Sequence, residues 1–348
     1  MPKIIFEGKQ YQCEAGESVL DCLTRHGVSV SYSCRAGVCQ SCMMVAVEGE
    51  PTPASQIGIK ETLKAQDHFL ICACVPESDM SLAIPGGVGN SFDTQVLSVE
   101  RLSADVVRLR LLRPENYSYL PGQFLNLSND AGISRSYSLA SVPELDDFLE
   151  LHIRHVPGGQ VSGWVAESLR AGDSVTISQA AGQCSYQPGR EAQSLLLVGT
   201  GTGLAPLMGI ARDALYQGHT GPIHLYHGSS TAEGLYLMSE LAAMDKANPA
   251  FHYHPCVSRG TPPQGVRSGR AADLALQDFS QLSGWRVFLC GREDMVKALQ
   301  KKTFLAGAAM QDIFADPFID AGVDSNAEAK NASQLGSSKG QSSGVSVS

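Results

Sequence analysis

The sequence lacks what export or membrane insertion would require. Its first residues, "MPKIIFEGKQYQCEAGESV", contain no apolar core followed by small residues, and no later window approaches the roughly 18 to 20 uninterrupted apolar residues of a membrane helix. A cytoplasmic location without membrane insertion is the expectation. The sequence also lacks any run of lysine and arginine, and its 35 acidic residues outnumber its 26 basic ones, for a formal charge of −9. Nucleic acid and anionic membrane surfaces are therefore not expected partners, whereas a small molecule or another protein is. At 348 residues the chain exceeds one typical domain and suggests two or three, each able to bury its own core.

Cysteine, by contrast, is plentiful, with ten in the chain. In a reducing compartment, closely spaced cysteines are more often metal ligands or reactive thiols than disulfides. The segment "SCRAGVCQSC", residues 33–42, sets Cys34, Cys39 and Cys42 as C-x4-C-x2-C, and a fourth cysteine follows in "FLICACVP", at Cys72 or Cys74. This is the plant-type [2Fe–2S] spacing. Structural zinc fits less well, because it usually takes two short ligand pairs and here the fourth ligand stands alone. Cluster sulfurs need backbone N–H donors close by, and Ala36, Gly37 and Ser41 are small enough to let the loop wrap closely. Cys72 and Cys74 would share one face of a strand, so the pattern alone leaves the choice between them open. Cys22, in "SVLDCLTRHG" between Ser18 and Gly27, reads as a core position of an amphipathic helix, and Cys13 as structural.

Around this loop the patterns predict a hairpin from residues 2–6 and 10–13, a helix over 18–26, and strands over 43–48, 68–74 and 79–84. The arrangement resembles the β-grasp fold of plant-type ferredoxins across residues 1–88. That resemblance, in which the last ligand follows an "FL-x-C" pattern, implies Cys72 as the fourth ligand. "PGGVGN", residues 85–90, then reads as a flexible connector.

Over residues 92–190 the texture changes to short alternating strands such as "TQVLSVERL", "VVRLRLL", "SRSYSLAS" and "FLELHIRHV", which predict a small antiparallel barrel. Within it "RSYS", residues 135–138, is a weak signal alone. It gains weight from "HVPGGQVSGWVAESL", a glycine-rich turn running into a helix with Ser162 near the start, where free N–H groups and the helix dipole favour a phosphate. From residue 193 to 320, strands and helices alternate. "SLLLVGTGTGLAPLMGIARDAL" is a buried strand, a glycine turn and a helix, which predicts a doubly wound parallel sheet with its ligand at the carboxyl ends of the strands. The turn is not G-x-G-x-x-G, and "HGSSTAEG" offers Ser229 and Ser230 before Glu233 arrives too late for a ribose ligand, so a conventional Rossmann site is disfavoured.

Taken in order, "RSYS", "PGGQVS", "GTGTGLAP" and "FLCGREDMV" resemble the motifs of the ferredoxin–NADP reductase superfamily. With a ferredoxin domain in front, residues 1 to about 320 are similar to the reductase components of bacterial multicomponent oxygenases, such as phenol and methane monooxygenase reductases, and to CDP-glucoseen reductases. The implied fold class is multidomain α+β and α/β: a β-grasp ferredoxin, an antiparallel flavin-binding β-barrel and a doubly wound parallel-sheet nucleotide-binding domain. The resemblance also implies roles. In "RSYS", with Ser136 as part of the motif, Arg135 would pair with the flavin pyrophosphate, Tyr137 stack on the isoalloxazine and Ser138 stand near flavin N5; Gly158, Gly159 and Ser162 would form the phosphate turn. FAD is implied over FMN. Gly199, Thr200, Gly201 and Gly203 would bind the pyridine nucleotide's pyrophosphate, Cys290 lie beside the reacting nicotinamide carbon, and Phe318 cover the flavin.

Nicotinamide delivers two electrons as a hydride and a [2Fe–2S] cluster accepts one, so a flavin must stand between them. The implied route runs from NADH through FAD and the cluster to a terminal oxygenase or another electron-accepting protein, the chain itself being a monomer. Clusters of this type lie near about −400 mV, so upward tuning by hydrogen bonds is expected. Ser230 with Arg259 could hold a 2′-phosphate and make NADPH the donor, but no second basic residue stands nearby, and NADH is expected. Other readings are a reductase for a deoxysugar dehydratase-type partner and a non-catalytic redox-sensing module; Cys290 and the complete "RSYS" favour turnover. Residues 1–90 hold six basic and ten acidic residues, which suits a partner with a basic docking surface. His252 and His254 form a possible metal pair without a third ligand, His224 and His227 read as structural, and residues 321–348, rich in serine, glycine and asparagine, are expected to be a disordered tail.

Overall fold

The first two strands are short because they meet at the turn Glu7–Gly8, whose φ values of +49° and +74° reverse the chain. Strands β1 (Lys3–Phe6) and β2 (Lys9–Gln12) form a hairpin, and with β3 (Met43–Glu48), β4 (His68–Leu70) and β5 (Met80–Ala83) they make a mixed sheet in the order β2-β1-β5-β3-β4. Helix α1 (Val19–Arg25) starts where Ser18 accepts the Asp21 N–H, and ends before Gly27, whose φ of +76° suits glycine. A second helix, α2, is one turn, Glu61–Lys64. Cys13 and Cys22 are fully buried in the core between α1 and the sheet, as the sequence predicts. The strand expected over 68–74 stops at Leu70, where the Ala73 N–H turns back to the Leu70 carbonyl. Cys72 and Cys74 therefore do not share a strand face.

The structure is a computed structural model, and it describes residues 1–28, 30, 32, 35, 37, 42–59, 61–84, 91–131 and 133–318. The expected connector at 85–90 and the expected tail at 321–348 lie outside the described residues. No helix among the described residues is long and apolar enough to cross a membrane.

The second sheet is antiparallel throughout. Its order is β10-β7-β6-β11-β8-β9, from β6 (Ser91–Arg101), β7 (Val106–Leu112), β8 (Phe124–Ser128), β9 (Ser134–Ser138), β10 (Phe148–Arg154) and β11 (Ser174–Ser178). A bridge from Leu139 to Leu151 joins the two ends and closes a barrel. Helix α3 (Gln160–Glu167) follows β10. Leu149, Leu151 and Ile153 of β10 fill the barrel, yet Glu150 and His152 on its other face are also buried.

The third sheet is parallel, β15-β14-β13-β12-β16-β17, built from β12 (Leu195–Thr200), β13 (Ile223–Ser229), β14 (Phe251–Val257), β15 (Arg267–Ser268), β16 (Arg286–Arg292) and β17 (Ile313–Phe318). Helices α4 (Leu204–Tyr216), α5 (Met238–Ala247), α6 (Ala271–Asp278) and α7 (Glu293–Leu305) alternate with the strands. Leu195 and Leu197 of β12 face one core while Leu196 and Val198 face another, which explains its uninterrupted apolar run. Strand order reverses between β12 and β16, so a crevice opens at their carboxyl ends.

Candidate functional site

At the mouth of that crevice, glycine is required by crowding. A Cβ on Gly203 would strike the carbonyl of Cys290, one on Gly199 would fall 2.7 Å from Leu207 Cδ1, and one on Gly291, whose φ is +126°, would fall 2.6 Å from Thr200 Oγ1. The turn Gly201–Gly203 joins β12 directly to α4, whose first-turn N–H groups lack helical acceptors, with Pro206 tolerated there. Thr200 Oγ1 is buried without a hydrogen-bond partner among the described residues. Arg154, at the end of β10, pairs through Nε with Asp105 at 3.1 Å and keeps Nη2 on the turn side, 3.3 Å from where a Gly201 Cβ would stand. The turn thus offers free N–H groups, an orphan hydroxyl and a cation to an anionic ligand.

Deeper in, three strands converge. Ser138 ends β9, and its hydroxyl donates to Asp316 Oδ2 at 3.0 Å. Asp316 on β17 is the register neighbour of Cys290 on β16. Burial pushes the Asp316 carboxyl up to about 6, against the opposing pull of the Ser138 hydroxyl. Burial likewise pushes the Cys290 thiol well above its ordinary range, and its Sγ lies 3.7 Å from Cys184 Sγ. Phe318 stands two residues beyond Asp316, half-buried at the end of the same strand. Ser138, Cys290 and Phe318 stand out in the sequence, whereas Asp316, Cys184 and Arg154 are found only in the fold. Asp316 had a signal, since "IFADPF" puts one acid at the end of the last buried strand. Cys184 and Arg154 had none, because their roles depend on contacts with elements far away in sequence.

Along β9, Arg135 and Ser136 are exposed and Tyr137 is half-buried. Ser136 donates to Asn126 Oδ1 at 2.7 Å, and burial pushes the Tyr137 phenol upward. A Cβ on Gly159 would collide with Ser162 Oγ, so the glycine lets that hydroxyl come close; it accepts the Val156 N–H at 3.2 Å and fixes the turn before α3. Gly158 takes a φ of +74°.

Toward the outer edge of the sheet, the Ser258 and Arg259 N–H groups donate to the Ser229 and Ser230 carbonyls at 3.1 and 2.9 Å. Ser230 and Arg259 are therefore brought together, both exposed. The neighbouring Arg267 is committed to Asp278, one of its bonds being 3.0 Å long.

Beside the first sheet, Cys42 Sγ and Cys72 Sγ are 3.2 Å apart, close enough to serve one metal centre. Cys34 and Cys39 lie outside the described residues. Cys74 is fully buried in the core, with its carbonyl accepting the Val19 N–H. Gly37 is required by its φ of +70°, since a Cβ there would meet Ala73 at an ordinary 3.5 Å. Among the described residues, Cys13, Glu17 and Cys22 also bring possible ligand atoms together, but the carboxylate is engaged by Arg25 through two 2.8 Å bonds. His224 pairs with His254 at 3.2 Å within a stack of rings that includes His252.

Three family models match consecutive stretches: a 2Fe-2S iron-sulfur cluster binding domain over residues 4–77, an oxidoreductase FAD-binding domain over 93–186 and an oxidoreductase NAD-binding domain over 197–301. The chain is 33% identical over 313 residues to the ferredoxin–NAD(P)(+) reductase component of the naphthalene 1,2-dioxygenase system of Pseudomonas putida, covering 87% of this chain and 94% of that one. It is 32% identical over 305 residues to the aromatic O-demethylase reductase subunit of an Amycolatopsis strain, covering 84% and 90%. The solved structure of the Amycolatopsis cytochrome P450 reductase GcoB matches with a TM-score of 0.67 at 30% identity, covering 92% of this chain and all of that one.

Proposed function

Because this chain belongs to the iron–sulfur flavoprotein reductases that serve oxygenase systems, we propose that it passes electrons from NADH through FAD to a [2Fe–2S] cluster and on to a terminal oxygenase. The work divides among residues 1–88, 92–190 and 193–320, with the chain acting as a monomer. The flavin, when bound, converts a two-electron hydride donor into a source of single electrons.

The residues present fit these groups. Arg135, Tyr137 and the Gly158–Ser162 turn would hold the flavin nucleotide: a cation for pyrophosphate, a ring for stacking, and a glycine at which a Cβ would close the space. Cys34, Cys39, Cys42 and Cys72 would hold the cluster, the last two having their sulfurs side by side. Gly199, Thr200, Gly201 and Gly203 would take the nucleotide pyrophosphate, with Arg154 supplying charge.

The observation that carries this reading is the convergence of Ser138, Asp316 and Cys290 at the crevice. Asp316 holds the Ser138 hydroxyl in one orientation, and the buried thiols of Cys290 and Cys184 leave water little room beside them. Rigid groups of this kind position reacting atoms and exclude solvent. Ser230 and Arg259 could accept a 2′-phosphate, but Arg267 is already paired with Asp278, so a lone arginine supports NADH as the better donor. Anaerobic titration of the holoprotein with each nucleotide, following flavin bleaching and the EPR signal of the reduced cluster, tests the reading. Reduction of both centres by NADH supports it; a flavin that stays oxidised with either nucleotide overturns it.

A further inference from the structure

Beneath the Gly201 turn runs a buried polar chain that hydride transfer does not require. Arg110 on β7 donates to Glu150 Oε2 at 2.7 Å, and Glu150 Oε1 lies 3.0 Å from His152 Nε2. His152 Nδ1 lies 3.2 Å from the Tyr236 hydroxyl, which reaches the Gly201 carbonyl at 3.4 Å. Glu150, His152 and Tyr236 are each no more than 3% exposed. The chain begins on the flavin barrel and ends on the nucleotide turn. Apolar packing could join the two without the cost of burying polar groups; what hydrogen bonds add is direction.

A count of protons shows which way the chain points. Burial would push Glu150 up, but the hydrogen bonds from His152 and Arg110 and the charge beside it outweigh that and hold the carboxyl at about 2, so at neutral pH it only accepts. His152 Nε2 must then donate to that carboxylate, which holds the ring with Nδ1 facing the Tyr236 hydroxyl. Burial keeps Tyr236 a phenol, and its hydroxyl donates to Gly201 O. Its ring is held edge-on by His152 at 5.3 Å and by the fully buried His227 at 5.5 Å, so the hydroxyl has little freedom to turn away. Gly201 O also accepts the Leu204 N–H that closes the turn. In a trans peptide, C=O and N–H point in opposite directions. Anchoring Gly201 O inward therefore aims the Thr202 N–H outward, toward a bound pyrophosphate.

We propose that Tyr236 is a positioning residue for the pyridine nucleotide: backed by His152 and Glu150 of the barrel, its hydroxyl fixes the Gly201–Thr202 peptide so that the turn presents its N–H to the phosphates. The proposal rests on the nucleotide-binding reading above. The test uses the full-length holoprotein with Tyr236→Phe, His152→Leu and the double variant, measuring NAD+ binding by calorimetry and flavin reduction by NADH in stopped flow. One neutral hydrogen bond corresponds to roughly a three- to tenfold weaker NAD+ affinity and a KM for NADH raised by as much. The limiting reduction rate should stay within about twofold and the flavin and cluster spectra unchanged, since the hydroxyl acts only through the Gly201–Thr202 peptide. The double variant should be no worse than the poorer single one, because both break one chain. His152→Gln, whose amide can still bridge, should recover part of the loss. Unchanged affinity in Tyr236→Phe, additive losses, or a lowered limiting rate at constant KM would each overturn the proposal. A wild-type protein that binds NAD+ yet is not reduced by NADH would instead sink the proposed function, leaving the binding comparison to judge Tyr236.

Discussion

Ser138 and Asp316, 178 residues apart in sequence, are joined by a 3.0 Å hydrogen bond that ties the end of a barrel strand to the last strand of the parallel sheet. The carboxyl sits near 6 because burial disfavours its charge. Above that value it is ionised and is a strong acceptor for the Ser138 hydroxyl; below it, protonation weakens that hold. The rate of flavin reduction by NADH is accordingly expected to fall as pH drops through about 6. Asp316→Asn should flatten that limb of the profile, and Ser138→Ala should slow reduction by roughly 10- to 100-fold, the scale of a misplaced reacting group. Stopped-flow traces between pH 5 and pH 8, a window of about one to two units either side of that pKa, decide it. A wild-type profile with no break near 6 would remove Asp316 from the site.

The cluster ligands can be separated from their neighbour by substitution. Cys42→Ser and Cys72→Ser should abolish the reduced-cluster EPR signal and electron delivery to a protein acceptor, while flavin bleaching by NADH persists. Cys74→Ser puts a hydroxyl into a fully buried site, so its effect should be on stability, by about 1 to 3 kcal/mol, with the EPR signal retained. Loss of the signal in Cys74→Ser alone would reverse the ligand assignment.

Much of this was legible in the sequence because its signals are local. The spacing of the first three cysteines, the glycine turn of β12 and the alternation of strand and helix can each be read within a short window of the chain. What sequence could not show are pairings made by the folded sheets. Asp316 matters because β17 lies beside β16, and Arg154 because β10 ends against the Gly201 turn. Cys72 and Cys74 had equal claims by periodicity, and the turn after Leu70 separated them, one beside Cys42 and the other in the core. Gly37 was expected for closeness to the cluster, but its positive φ is the requirement that the backbone shows.

Barrel and nucleotide domain are also held by charge. Arg212 on α4 makes a bidentate pair with Asp146 at 2.8 and 2.9 Å, and the same carboxylate accepts the Val142 N–H. Asp146→Ala would strand a largely buried guanidinium and an unpaired N–H. Removing one partner of a buried pair costs about 3 to 5 kcal/mol; since the Arg212 side chain keeps 26% exposure, about 2 to 3 kcal/mol is the expected loss here. Chemical denaturation would read it as a lower midpoint with an unchanged slope, and a shift below about 0.5 kcal/mol would mean solvent already screens the pair.

Gly203 provides the sharpest steric test of the nucleotide turn. Its φ of −60° is open to any residue, so backbone conformation does not require glycine. Space does, because a Cβ would collide with the Cys290 carbonyl and stand 2.9 Å from the Gly291 nitrogen, and neither backbone atom can rotate away. Gly203→Ala must push the start of α4 off the end of β16, at about 1 to 3 kcal/mol for overpacking, and it displaces the turn and Cys290 together. The KM for NADH should therefore rise by more than the stability loss alone would suggest. Gly163 serves as the control: it lies inside α3 with nothing within 4 Å of where an alanine methyl would stand, so Gly163→Ala should be neutral or stabilise by up to about 1 kcal/mol through helix propensity. A Gly203→Ala protein that folds and takes NADH with the wild-type KM would show that the nucleotide binds away from this turn.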